Sequence, residues 1–300
     1  MENELYAVFS VWYWQPGCTM NRDIIATLEA WKKALLICKG MAPIELAEEV
    51  NSSDAISDHL PQRPSASLAK VDQLYSDKFV FFMICCNLFA YENGLRVFTN
   101  WSKVWEYPWL WYNGLEQLDW KGKRLLDLGS EISPMPWFIA TLGARVDLLE
   151  TDPQWIPIWQ ALKEKLSVDV NWSFVEDESI PHPDASFDVV TSFSVIEHQL
   201  NQAKAIDEVS RALKPRGLFA LSFDICEPTM GMTFPAWNGT ALTTADFETL
   251  IWDHPAFDAG GTRPKWNLED SAEFIRWNLR AASHHNYTVG AAILRKKAAP

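Results

Sequence analysis

The chain has 300 residues, 48% of them hydrophobic, enough for one large domain or two modest ones around a sizeable core. Its formal net charge of −13 disfavours a nucleic-acid or anionic-membrane partner, because such surfaces reward clusters of Lys and Arg; small molecules or neutral sugars fit better. The five cysteines, Cys18, Cys38, Cys85, Cys86 and Cys226, are odd in number and show no C-x-x-C spacing, so they read as reduced thiols of a cytoplasmic protein and outline no zinc site.

The opening MENELYAVFSVWYW lacks the basic start of a signal peptide. Residues 6–14 read as a strand, and residues 23–39 have helical spacing through Ile24, Leu28, Trp31 and Leu35. The polar, Pro-containing residues 51–67 read as a loop or linker. The apolar run at 79–91 contains Asn87 and is too short to cross a bilayer, so it predicts a buried helix. Trp101, Trp105, Trp109 and Trp111 then fall within eleven residues. They either pack this segment onto a sheet or line a pocket for a sugar ring, a lipid or an aromatic acceptor. Residues 1–115 are thus expected to form a mainly helical cap or lid before a domain spanning 116–300, whose core is 120–225 and whose last strands and lid are 226–300.

Residues 124–152 predict a strand, a tight turn, a helix and a second strand. Leu125, Leu126 and Leu128 form a buried parallel strand, and Gly129 stands where the chain must turn out of it. Ser133 can cap a helix that begins at Pro134, where proline's missing N–H costs nothing. Trp137, Phe138, Ile139 and Leu142 form its apolar face, Gly143 ends it, and Val146 to Leu149 supply the next strand before Glu150. A glycine after the first strand and an acid after the second make a half-site for a nucleoside, the acid accepting hydrogen bonds from ribose hydroxyls.

Residues 170–224 add an acidic turn, a further strand, a helix and another strand, carrying FDVV (187–190), Glu197-His198 and EVxRxLKPxG (208–217). Together with the 124–152 unit these make four ordered motifs, and on them residues 120–225 resemble the class I S-adenosylmethionine-dependent methyltransferases. The resemblance implies an α/β, Rossmann-like fold, with a mostly parallel seven-stranded sheet, helices on both faces and a helical N-terminal addition. It also implies S-adenosylmethionine as cofactor. The methionine end would meet Asp127, Gly129, Ser130 and Glu131, with Pro134 in the Ser-Pro-x-Pro continuation. The ribose would meet Glu150, Thr151 and Asp152, and the adenine Glu176 and Asp177. The turn after the fourth strand would supply Ser192 and Phe193. Tyr112 lies in the segment such enzymes often use as a lid.

Glu131 departs from the pattern, since a second glycine is expected there and a β-carbon discourages positive φ. The substitution reads either as a lost site or as one altered to favour a cationic cofactor. Candidate bases are expected at the carboxyl ends of the strands, which selects His198, Glu197 and Asp224. His198 has the intrinsic pKa for the task, and a structural or cofactor-side role is the other reading. Trp237 and Asn238, within a candidate lid at 231–239, can close over a substrate. His284 and His285 either sit on a surface turn or line the acceptor pocket. No metal is expected, since the histidines lack an i, i+4 pair and no cysteine joins them.

Thr243 or Thr244 can cap a helix through Phe247, Leu250 and Ile251, Ser271 can cap one through Phe274 and Trp277, and residues 287–297 predict a last, antiparallel strand at the sheet edge. The expected activity is methyl transfer, most readily to oxygen, on a small molecule or glycan precursor, with polysaccharide biosynthesis as an analogy. Two rival classes stand beside it: a degenerate domain serving as a binding or scaffold subunit, and another nucleoside-using enzyme such as a dehydrogenase or an aminopropyl-transferring relative.

Overall fold

The computed structural model describes residues 65–99, 102–281 and 284–298. The strand expected at 6–14 and the helix expected at 23–39 lie outside the described residues. In chain order the strands are β1 (Ala66–Leu68), β2 (Arg124–Leu128), β3 (Arg145–Glu150), β4 (Val170–Phe174), β5 (Phe187–Phe193), β6 (Leu213–Ile225), β7 (Phe257–Asp258) and β8 (Thr288–Lys296). The main helices are α1 (Asp77–Asn93), α2 (Lys103–Leu110), α3 (Pro134–Thr141), α4 (Ile156–Leu166), α5 (Gln202–Ala212) and α6 (Ala272–Ala281).

The sheet runs β1-β8-β6-β5-β2-β3-β4, with the two-residue β7 joined to β8. Strands β2 to β6 pair in parallel, while β8 is antiparallel to both β6 and β1. Alternate side chains serve opposite faces, as the strand period of two requires. Leu125, Val189, Leu218 and Ala291 enter the core under α1 to α4. Their neighbours Leu126, Val190, Phe219 and Ala292 enter the core under α5 and the helical segment at 244–252. With both faces covered, the strands carry nearly continuous apolar runs. The expected Rossmann-like architecture is therefore what the sequence builds, with eight strands among the described residues rather than the seven expected, because β1 and the short β7 also pair with β8.

Three local expectations change. The last strand does not end the sheet: β8 lies between β6 and β1, and β1 comes from the stretch read as linker. A three-residue strand is too short to show an alternation, which is why it read as loop. Second, Ser133 occupies the N-cap position before Pro134 without capping; its hydroxyl instead pairs with the Tyr107 hydroxyl at 2.7 Å. Third, Ser271 is the last residue of a 3-10 turn, and its hydroxyl goes to the Ala69 carbonyl and the Thr288 hydroxyl. Thr243 does cap its helix, in a reciprocal capping box with Asp246.

All described residues belong to one compact unit, which begins at residue 64 rather than at the expected boundary between 115 and 116. Helix α2 accounts for this. Trp105, Tyr107, Trp109 and Leu110 are all at most 1% exposed, the Trp105 and Trp109 rings stack at 5.6 Å, and Trp111 packs on Phe82 and Phe138. These tryptophans pack the segment onto the domain, the first of the two readings; Trp101 lies outside the described residues. The helix at 79–91 is realised as α1. Among the described residues, no helix is long and apolar enough to cross a membrane.

Candidate active site

A cavity of about 400 Å³ opens at the carboxyl ends of β2, β3, β5 and β6. Ligands of open α/β sheets bind on this side, where consecutive parallel strands turn outward to opposite faces and leave a crevice. The turn after β2 forms its floor. Gly129 has φ +62°, and a β-carbon there would lie 2.6 Å from Val195 Cγ2, in the turn after β5. Glycine thus meets two demands at once, the left-handed backbone and the close approach of a neighbouring turn.

Glu131 adopts φ +40° despite its β-carbon. That costs about 1–2 kcal/mol for a non-glycine residue, and three contacts hold it. Its N–H donates to Glu150 Oε1 (3.2 Å), its carbonyl accepts from Trp159 Nε1 (2.7 Å), and its carboxylate pairs with Arg96 at 2.6 Å. The turn therefore keeps a glycine-like conformation, while the half-exposed side chain is drawn to the guanidinium.

Asp127 and Glu150 are the acids of this half. Asp127 is buried and accepts hydroxyl hydrogen bonds from Thr191 (2.6 Å) and Ser130 (2.7 Å). Burial nevertheless raises its pKa to about 7, with the two hydroxyls opposing the rise. Glu150, at the end of β3, accepts from the Thr151 N–H at 2.9 Å and the Glu131 N–H, one on each oxygen. Burial also raises its pKa, and these two backbone donors oppose that.

Of the remaining residues expected on the cofactor side, Thr151, Asp177 and Phe193 line the cavity. Asp177 is committed to the Ser179 N–H and hydroxyl and to Lys204, whose ammonium holds its carboxyl well below the usual range. Pro134, Asp152, Glu176 and Ser192 lie outside the lining. Pro134 is buried at the start of α3, and Asp152 caps the turn Pro153–Trp155 by accepting from Gln154 N–H. Glu176 is exposed, and its place is taken by Glu178, one residue past Asp177. Ser192 is buried within β5.

The other half of the cavity draws on His198, Asp224 and Asn238. Burial lowers the His198 pKa, so the ring is biased toward its neutral form. The loop carrying Asn238 is fastened beside it: Thr240 N–H donates to the Glu197 carbonyl at 2.8 Å, and Gly239, at φ +101°, leaves no room for a β-carbon against that carbonyl. Asp224 is buried, with Oδ1 lacking a hydrogen-bond partner. Glu197 is fully buried behind the wall and accepts the Asp224 N–H at 3.3 Å.

Tyr112, Trp237, His284 and His285 do not line the cavity. Tyr112 lies against Phe79 and Phe82 and donates to the Lys78 carbonyl. Trp237 is 72% exposed, with its ring 5.4 Å from that of His284. Burial, aided by His284, pushes His285 down to about 4. No group of His, Cys, Asp or Glu among the described residues is arranged to hold a metal ion.

Residues not singled out from sequence complete the lining: Arg96, Lys103 and Tyr107 come from the segment before β2. A signal for one was present, since Lys103 and Glu106 stand one helical turn apart among tryptophans, where a solvated charge pair has no place.

A parallel sheet with this turn and a carboxylate poised at the end of the next strand is the arrangement with which open α/β domains bind nucleosides. Residues 126–221 match the family model described as a methyltransferase domain. The ubiquinone biosynthesis O-methyltransferase of Xanthomonas oryzae pv. oryzae is 32% identical over 108 residues, 35% of this chain and 45% of that protein. A probable S-adenosylmethionine-dependent methyltransferase of Mycolicibacterium smegmatis is 51% identical over 43 residues, 14% of this chain and 17% of that one. This chain thus spans less than half the length of the curated relatives it matches. Among solved structures, an S-adenosylmethionine dependent methyltransferase from Mesorhizobium loti aligns with a TM-score of 0.45 at 14% identity, covering 62% of this chain and 98% of that one.

Proposed function

We propose that the protein binds S-adenosylmethionine in this cavity and transfers its methyl group to a small molecule or glycan precursor, with oxygen as the favoured acceptor atom. The observation that carries the reading is Glu150. Its carboxylate is fixed at the end of β3 by two backbone N–H groups, one of them from the cavity-floor turn that has no room for a β-carbon at Gly129. The acids Asp127, Glu131 and Glu150 suit a ligand bearing a sulfonium and an ammonium. Glu131 is thereby an altered turn residue rather than a lesion, because its backbone still supports Glu150.

In this reading Asp127, Gly129, Ser130 and Glu131 meet the methionine end, Glu150 and Thr151 the ribose, and Asp177 with Glu178 the adenine edge. The bound cofactor supplies an activated methyl group. The chain's own residues then exclude water, align an acceptor and take its proton. Asp224 and His198 line the acceptor half; a neutral His198 can accept that proton, whereas burial raises the Asp224 pKa and favours its protonated form.

The test is an assay with S-adenosylmethionine and a panel of phenolic, sugar and amine acceptors. S-adenosylhomocysteine should accumulate with at least one hydroxyl acceptor and not with NAD in place of the cofactor. NAD-dependent turnover, or no binding of S-adenosylmethionine, would overturn the reading.

A further inference from the structure

The acceptor half of the cavity contains a carboxyl oxygen that no described residue satisfies. Asp224, on β6, is 3% exposed and lines the cavity, and its Oδ1 has no hydrogen-bond partner among the described residues. The Tyr287 phenol approaches Asp224 from just before β8 but closes no hydrogen bond, and its hydroxyl is likewise without a partner. Buried polar atoms are ordinarily paired, so an unpaired one in a cavity wall points to a ligand.

The surroundings of Asp224 decide which ligand chemistry fits. Glu106 of α2 and Glu197, after β5, are both fully buried. The Lys103 ammonium and the Ser222 hydroxyl both donate to Glu106 Oε2, at 2.8 and 2.6 Å. Glu197 Oε1 accepts the Asp224 N–H at 3.3 Å, and its Oε2 has no partner among the described residues. Three carboxyls thus crowd one buried ammonium, and the charge balances when Glu197 and Asp224 both keep their protons. Burial raises the pKa of both acids; Glu106 adds to each rise, Glu197 adds further to that of Asp224, and Lys103 opposes. Burial also biases the titratable groups on the adjoining elements toward their neutral forms: Tyr287, Cys226 after β6, and His198 on the same cavity wall. A carboxyl that keeps its proton has an O–H to donate, whereas a carboxylate only accepts.

We propose that Asp224 is a specificity-determining residue that works as a carboxylic acid, donating its O–H to a carbonyl or carboxylate oxygen carried by the acceptor beside the hydroxyl that is methylated. The inference rests on the reading of the cavity as a methyl-transfer site. It narrows the acceptor class, because a cationic amine at that place offers only donors and would face another donor. An ionised Asp224 would select the reverse. In the transfer step the acceptor O–H bond breaks as the O–methyl bond forms. The proton goes to neutral His198, the electrons of the sulfur–methyl bond remain on sulfur, and Asp224 keeps its own proton. Asp224 lies outside the matched segment 126–221.

Carbon-13 NMR of the full chain, with the Asp224 carboxyl assigned through bonds from its own backbone, tests this without a variant. From about pH 5 to 8 that carboxyl should keep the chemical shift of a protonated acid. At neutral pH, acetate as a carboxylate probe should displace the resonance saturably, and methylammonium, a cation of similar size, should leave it in place. A titration midpoint below about pH 7, a resonance indifferent to acetate, or one moved by methylammonium would overturn the proposal. Titration with S-adenosylhomocysteine on the same sample reports separately on the methyltransferase reading, because that ligand can fail to bind while Asp224 behaves as expected.

Discussion

The two halves of the cavity are built differently. On the cofactor side, Asp127, Gly129, Ser130, Glu131 and Glu150 lie within one strand-turn-helix-strand unit and bond to one another within it, with outside support from Thr191, Trp159 and Arg96. The acceptor side is assembled across the chain: Lys103 reaches the Phe193 carbonyl, Ser222 reaches Glu106, and Thr240 reaches the Glu197 carbonyl. A local unit can bind the same ligand wherever it occurs, whereas a site gathered from distant segments can change its ligand when one segment changes. The match to the family model covers β2 into β6 and leaves out α2 and the loop at 235–240. In the proposed function, the choice of acceptor would therefore rest largely on segments outside the matched residues.

The contrast can be broken first at the packing of α2. Trp105 is fully buried, stacks on Trp109 and donates from Nε1 to Gln73 at 2.6 Å. Trp105→Ala should cost about 3–5 kcal/mol of stability, measured by denaturant unfolding, because the cavity it leaves lies under the helix that carries Lys103 and Tyr107. A loss below about 1 kcal/mol would show that α2 is not fixed by this core.

A second prediction concerns pH and belongs to the cofactor half. The Asp127 pKa rises from 3.8 in a model group to about 7 in the folded chain, so the fold binds this proton more tightly than the unfolded chain does. The associated stability is fully present below pH 3.8 and is lost as pH rises through about 7. Thermal unfolding of the ligand-free protein should therefore worsen between about pH 5 and 8. Asp127→Asn should flatten that slope, with a difference of up to about 4 kcal/mol across the full window. Parallel slopes in the two proteins would place the titration elsewhere, in Glu197 and Asp224, which burial raises in the same direction.

The same division explains what the sequence made legible. The unit from β2 to Glu150 could be read because its signals are local: an apolar run, a glycine, a proline at a helix start and an acid at the end of the next strand. Even there, the left-handed backbone of Glu131 was not readable, because its supports are Arg96 and Trp159, 35 and 28 residues away by number. Glu176 was named in place of Glu178 because an irregular acidic turn has no period that tells which carboxylates face inward. The edge strand β1 was missed because only its pairing with β8 makes Ala66–Leu68 a strand. The tryptophans fitted both packing and ligand binding until their burial was known. On the acceptor side, position at a strand end points to Glu197 and Asp224, of which Asp224 lines the cavity and Glu197 does not, and it gives no pointer to Lys103 and Glu106. Their meaning depends on β5 and β6 closing over them.

The central claim is that Glu150 marks a working cofactor site despite Glu131. Calorimetric titration of S-adenosylhomocysteine into the wild type and Glu150→Ala tests it most directly. The account predicts saturable binding to the wild type, weakened in the variant by about 1–3 kcal/mol, or roughly 5- to 150-fold in Kd, as the ribose hydroxyls lose a charged acceptor. Equal affinity in the two proteins, or no binding heat in the wild type, would contradict it.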